Sequence, residues 1–222
     1  MNIAIIDYNS GNLASLQNSL ECAVKNSKQA FEVKITAVPE EVIKADKVIL
    51  PGVGDFFYCK NELLKINGMV DAINYFIKDR GKPFLGICIG MQLMAKVSYE
   101  RKKNKGLELI DSEVIIIESK SKEIRVPHMG WNRTHLNTSF SRFSTVLDNS
   151  RFYFVHSFHV SCEDSSDILA LSQYGYRFTS AIQKNNIILL PSFIHGDFHA
   201  YRTPKGDCEL DSTVEEDATL TV

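Results

Sequence analysis

The residues best able to do covalent chemistry lie in Lys82-Pro83-Phe84-Leu85-Gly86-Ile87-Cys88-Ile89-Gly90-Met91-Gln92. An apolar run fit for a strand leads into Gly-x-Cys-x-Gly, and helix-forming residues follow. This is the thiol counterpart of the nucleophile elbow, which presents an attacking atom on a sharp turn between strand and helix. Such a turn strains the nucleophile's backbone and crowds its neighbours, so Gly86 and Gly90 stand where side chains would collide. The Cys88 thiol would then sit at a helix start, where unpaired N–H groups favour thiolate and can hold an oxyanion. A small buried core cysteine can look similar, but the strand before and the helix after favour the nucleophile. A second piece, Leu50-Pro51-Gly52-Val53-Gly54, closes another apolar run. Ligands of parallel sheets gather where strands end, and Gly52, Val53 and Gly54 would let backbone N–H groups approach a substrate oxygen there.

Strands and helices must alternate to bring these two turns to one edge. Asn2 to Ile6 is apolar enough for a strand buried on both faces. Asp7 to Asn12 is turn chemistry, with Ser10 a candidate cap. Leu13, Leu16, Leu20 and Val24 recur at helical spacing. Phe31 to Thr36 alternates as a strand, Pro39-Glu40-Glu41 opens a short helix, and Lys47 to Leu50 is a strand. Met69 to Asp79 is helical, Lys82 to Ile87 a strand, and Gly90 to Lys96 a helix. The second half is richer in strands: Glu113 to Glu118, Phe152 to Ser157, Ile168 to Ser172 and Phe178 to Gln183. The expected fold is α/β, a mostly parallel sheet flanked by helices with an added antiparallel portion.

Composition removes other classes. The chain has 222 residues, 25 Lys+Arg and 27 Asp+Glu, and is 44% hydrophobic, too apolar and too near neutral for general disorder. No bulk basic charge suggests nucleic acid as a partner, and the run Glu100 to Lys105 reads as a solvated loop. The start Met1 to Asp7 lacks the pattern of a signal peptide, and no apolar run reaches a membrane span. Five widely spaced cysteines signal neither a disulfide framework nor a zinc site and point to a cytoplasmic protein. No metal and no cofactor is expected, because His and Cys are not clustered at ligand spacing and no nucleotide loop occurs.

With both turns placed, the chain resembles the class I (triad-type) glutamine amidotransferases, in particular the glutaminase subunits of imidazole glycerol phosphate synthase. Five stretches carry the match: Ile6-Asp7-Tyr8 with Ser10-Gly11-Asn12, Leu50 to Gly54, Pro83 to Gln92, Val126-Pro127-His128-Met129-Gly130-Trp131-Asn132, and Tyr153 to His159. The segment Ala181 to Ile187 also fits. The resemblance implies a flavodoxin-like fold and a Cys88 that attacks the side-chain amide of glutamine, giving a thioester and ammonia. It implies that Gly52, Val53 and the amide after Cys88 hold the oxyanion, and that Gln92 and Ser157 help seat glutamine. It also implies that ammonia passes to a (β/α)8-barrel cyclase partner for histidine biosynthesis. Asn12, Met129, Trp131 and Asn132 match positions near that interface, and His128, His156 and His159 read as hydrogen-bonding or packing residues.

The resemblance stops near residue 187. The family's base and orienting acid lie in Phe-His-Pro-Glu-Lys-Ser, whereas this chain reads Ile188-Leu189-Leu190-Pro191-Ser192-Phe193-Ile194-His195-Gly196-Asp197-Phe198-His199. His195 and Asp197 imitate the His-x-Glu spacing about two positions late and are the candidates for base and acid. His199 is a weaker one. With one choice of synonymous codons, Ile188 to His195 read from the third base spells Phe-Ala-Thr-Gln-Phe-His-Pro, as a frameshift would give. Residues 196–222 hold seven acids and two bases and no apolar stripe. Two parts are therefore expected: an amidotransferase domain over 1–195 and an acidic, poorly ordered tail over 196–222. Alternatives are an amidotransferase for another acceptor, as in sugar modification, or a non-catalytic binding subunit without a working His-Glu pair.

Overall fold

Alternation within the first strand decides the layering. Ile3 and Ile5 pack on one side with Leu16, Ile49 and Ile87. Ala4 and Ile6 pack on the other with Val48, Leu50, Ile73 and Phe76. A strand buried on both faces must lie inside a sheet covered by helices on both sides. The computed structural model describes residues 1–25, 30–119, 124–137, 143–191, 199–202 and 208–211.

The order is β1 (Asn2–Ile6), α1 (Leu13–Lys25), β2 (Glu32–Thr36), α2 (Pro39–Lys44), β3 (Lys47–Leu50), α3 (Phe56–Lys65), α4 (Met69–Lys78), β4 (Phe84–Ile87) and α5 (Ile89–Leu93). Then come β5 (Val97–Ser98), β6 (Asn104–Lys105), β7 (Ser112–Ile116), β8 (His128–Leu136), α6 (Ser144–Leu147), β9 (Arg151–His156) and β10 (Phe158–Cys162). The chain continues with β11 (Ile168–Tyr174), β12 (Tyr176–Lys184), β13 (Ile187–Leu190), β14 (His199–Arg202) and β15 (Cys208–Asp211).

The main sheet has nine strands in the order β2-β1-β3-β4-β13-β12-β11-β8-β9. It is parallel from β2 to β13 and antiparallel from β13 to β9. The expected α/β architecture with an antiparallel addition is therefore present, as a mixed sheet. A smaller sheet, β10-β7-β5-β6, lies beside it. Leu13, Leu16, Leu20 and Val24 of α1 cover one face, as their spacing predicts. Helices α2, α3 and α4 cover the other.

The expected helix over Met69 to Asp79 is α4, while that over Gly90 to Lys96 is shorter, because α5 spans Ile89–Leu93. Helix α3, strands β8 and β13 and the pair β14–β15 were not foreseen. The pair lies within the segment expected as a tail, and His199–Arg202 runs antiparallel to Cys208–Asp211. Cys59, Cys88 and Cys162 are free thiols, but Cys22 is disulfide-bonded, which the wide cysteine spacing did not signal. Among the described residues, no helix is long and apolar enough to cross a membrane, and no group of His, Cys, Asp and Glu could hold a metal ion.

Candidate active site

Cys88 lies between β4 and α5 with φ 56° and ψ −113°, a conformation that costs a non-glycine residue energy. Close packing on every side keeps it there. A Cβ on Gly90 would fall on the Leu50 carbonyl, and one on Gly86 would lie 2.8 Å from the Gly90 oxygen. A Cβ on Gly52 would lie 2.5 Å from the Tyr8 hydroxyl and 2.8 Å from Ile89 Cβ. The ends of β3 and β4 and the start of α5 therefore meet without room for a methyl group. On the far side, the Cys88 N–H donates to the Leu190 carbonyl at 2.9 Å, which ties the elbow to the end of β13.

The loop after β3 is also clamped. Tyr8 Oη donates to the Pro51 carbonyl at 2.5 Å. Ser10 Oγ accepts from the Val53 N–H and donates back to the Val53 carbonyl, both at 2.9 Å. Cys59 Sγ lies 3.1 Å from the same hydroxyl. Ser10 is thus a brace for this loop. The residue that caps α1 is Asn12, whose Oδ1 accepts from the Ser15 N–H at 3.2 Å. In this conformation the Val53 N–H, expected to hold an oxyanion, is already engaged.

A cleft of about 500 Å³ opens over the thiol. Asn12, Gly52, Val53, Gly54, Cys88, Gln92 and Ser157 all line it, so seven residues singled out from the sequence come together. Gln92 Nε2 donates to the Phe158 carbonyl at 3.4 Å, while its Oε1 is buried with no partner. An orphaned acceptor is costly when left dry, so this oxygen suits a donor on a ligand.

Glu100 is the one carboxylate among the described residues that line the cleft. Its Oε2 accepts from the Phe56 N–H at 2.7 Å, which fixes the group. Sequence reasoning missed it because it opens a basic run that reads as solvent-facing.

The expected interface residues split by strand alternation. Met129 is opposite Val155 and Trp131 opposite Tyr153 on the β8–β9 ladder. The rings of Trp131 and Tyr153 meet edge to face at 5.3 Å. Val53, Met129 and Val155 are 60%, 61% and 55% exposed, an apolar rim continuous with the cleft mouth. Asn132 points its amide inward instead, to the Gln173 carbonyl at 2.9 Å and His128 Nε2 at 3.3 Å. His195 and Asp197 lie outside the described residues.

The electrostatics follow from burial. The Cys88 thiol is pushed up to about 11 by desolvation, opposed by the Ile89 N–H that faces the sulfur. Burial also raises Tyr8, keeping its hydroxyl a donor. It holds His128 and His156 down to about 4 and lowers His159, so all three are neutral at physiological pH. His159 Nε2 is 2.9 Å from the Tyr176 hydroxyl and His156 Nδ1 is 2.9 Å from the Phe158 carbonyl. These are the hydrogen-bonding roles expected of them. Among the described residues, no imidazole hydrogen-bonds the Cys88 sulfur.

The chain is similar to known proteins in sequence and in fold. The family model for "Glutamine amidotransferase class-I" matches residues 4–189. The HisH subunit of imidazole glycerol phosphate synthase from Geobacter metallireducens is 42% identical over 190 residues, covering 84% of this chain and 87% of that protein. Its counterpart from Rhodopseudomonas palustris is 38% identical over 193 residues, covering 85% and 88%. A solved glutamine amidotransferase superposes with a TM-score of 0.61 at 13% identity over 85% of this chain and 88% of that one, a likeness of fold. The chain belongs to the class I glutamine amidotransferase family, in the branch of the HisH subunits.

Proposed function

We propose that the chain hydrolyses glutamine to glutamate and ammonia at Cys88 and delivers the ammonia to a (β/α)8-barrel cyclase for imidazole glycerol phosphate synthesis. One observation carries this reading: a free thiol on a strained strand-to-helix turn, opening into a cleft with an orphaned amide oxygen and one fixed carboxylate. The thiolate attacks Cδ of glutamine, the C–N bond breaks, and the nitrogen leaves as ammonia after taking a proton. Water then cleaves the thioester to glutamate. Gln92 Oε1 and the Glu100 carboxylate suit the two nitrogen groups of glutamine. The Ile89 N–H supplies an oxyanion donor, and the Val53 N–H joins it when the Ser10 bond is released.

His195 and Asp197 are the proposed base and orienting acid. Their support is topological: β13 ends beside the Cys88 turn, so the chain leaves it at the thiol. The exposed rim of Val53, Met129 and Val155, with Trp131 beside it, suits an apolar partner face that would cover the cleft and keep ammonia from water. The Asn12 amide lies at the same mouth. The proposed catalytic domain spans residues 1–195, followed by the acidic segment 196–222. A cytoplasmic site suits a nucleophile that must stay a reduced thiol through each turnover.

A second reading, a glutamine-binding subunit without turnover, is favoured by the elevated thiol pKa and by the lack, among the described residues, of an imidazole hydrogen bond to Cys88. Glutaminase assay with the barrel partner separates the two. Wild type should exceed Cys88→Ala by about 10³-fold or more, the scale lost with a covalent nucleophile. Equal rates favour the binding reading.

A further inference from the structure

His128 and His156 form a chain whose protons can be assigned. His156 Nδ1 is 2.9 Å from the Phe158 carbonyl, which only accepts, so this nitrogen carries the proton. His156 Nε2 is then an acceptor, and His128 Nδ1, 2.9 Å away, is its donor. His128 Nε2 accepts in turn from Asn132 Nδ2 at 3.3 Å. The Asn132 amide is fixed in this orientation, because Nδ2 also donates to the Gln173 carbonyl and Oδ1 accepts from the Arg133 N–H at 2.7 Å. Tyr174 stacks on the His128 ring at 3.9 Å and Phe154 at 5.0 Å, which fixes its plane. Both imidazoles are neutral, and the direction of the chain is set.

The chain ends at the cleft. The Phe158 carbonyl that accepts from His156 also accepts from Gln92 Nε2 at 3.4 Å. With its NH₂ held there, Gln92 keeps Oε1 buried and unpartnered, and Gln92 itself lines the cleft that Cys88 shares. We propose that His156, braced by His128, is a positioning residue for the ligand seat: it fixes the Phe158 carbonyl, which orients the Gln92 amide so that Oε1 meets an N–H donor of bound glutamine. This rests on glutamine being the ligand. The histidines act through Gln92 and not on the thiol.

The test is glutamine affinity by calorimetry in the full chain carrying Cys88→Ala, which reads binding whether or not a base works. His156→Asn and His156→Leu are added in turn. Both replace the ring by a smaller side chain of similar size, but Asn Nδ2 can take the place of the imidazole Nδ1 and donate to Phe158. Leu should weaken glutamine binding about tenfold, the scale of a lost buried hydrogen bond, and Asn no more than about threefold. Equal weakening by Asn and Leu would assign His156 to packing and overturn the proposal, as would no weakening by either. Should His156→Leu fail to fold, His128→Asn and His128→Leu decide by the same comparison one link further away. Absence of glutamine binding by Cys88→Ala alone overturns the ligand assignment, and the positioning role with it. Binding by Cys88→Ala that the histidine variants leave unchanged overturns only the positioning role.

Discussion

The Cys88 sulfur is where burial and chemistry oppose each other. Desolvation pushes its thiol up to about 11, although the Ile89 N–H favours the anion. Without a base in contact, the thiolate fraction then rises about tenfold per pH unit between ~7 and ~10. Alkylation by iodoacetamide, followed at the Cys88 peptide by mass spectrometry to separate it from Cys59 and Cys162, should climb with that slope. A rate already on its plateau near pH 7 would show that an imidazole reaches the sulfur. The nucleophile itself was legible in the sequence, because a Gly-x-Cys-x-Gly turn between strand and helix is a local pattern. Glu100 was not. Its place in the cleft depends on the Phe56 N–H, 44 residues away in sequence, and no local pattern carries that. Ser10 was misread as a cap for the same reason: its partner is Val53, brought beside it by the pairing of β1 with β3.

Elements were legible where periodicity was strong. The stripe of α1 and the apolar run of β4 fall where the sequence puts them. Helix α3 was missed because it opens with Phe56, Phe57, Tyr58 and Cys59, poor helix formers that are held by the Asp55 cap and by burial of Phe56 and Cys59. Strand β8 was missed because its inward positions are His128, Gly130 and Asn132 and not aliphatic side chains, so its burial is satisfied by hydrogen bonds. The crossing of β3, β4 and α5 is the element on which the site depends. Gly90→Ala would drive a methyl into the Leu50 carbonyl, and neither backbone can yield without moving its strand or helix. The expected cost is about 3 kcal/mol or more, the upper end for overpacking. Gly81→Ala is the control: its Cβ meets nothing within 4 Å, and only its φ of +58° opposes the change, at about 1 kcal/mol. Urea melts of both variants measure the difference. Equal losses would show that the elbow is not held by this contact.

At the scale of the whole molecule, the two halves of the sheet have to meet for the site to exist. Strand β13 joins them, parallel to β4 on one side and antiparallel to β12 on the other. Its last carbonyl holds the Cys88 N–H. The residues after Leu190 therefore start at the thiol, and the spacing from Leu190 decides which side chain can reach it. The family's motif would put its imidazole three residues on, at position 193, where this chain has Phe193. His195 is five residues on, up to about 17 Å of extended chain, so it must fold back to reach the sulfur. The acidic segment that follows has no counterpart in the apolar ending the family resemblance implies, and the matched region stops at residue 189. Replacing residues 188 onward by Phe-Ala-Thr-Gln-Phe-His-Pro-Glu-Lys-Ser and an apolar helix should raise glutaminase turnover about 10²- to 10⁴-fold, the contribution of a positioned general base. Sequencing the DNA that encodes residues 186–196 reads the cause directly. A codon set that spells the motif in a shifted frame would identify a frameshift. Equal turnover with either ending would show instead that His195 and Asp197 already do the work of the missing pair.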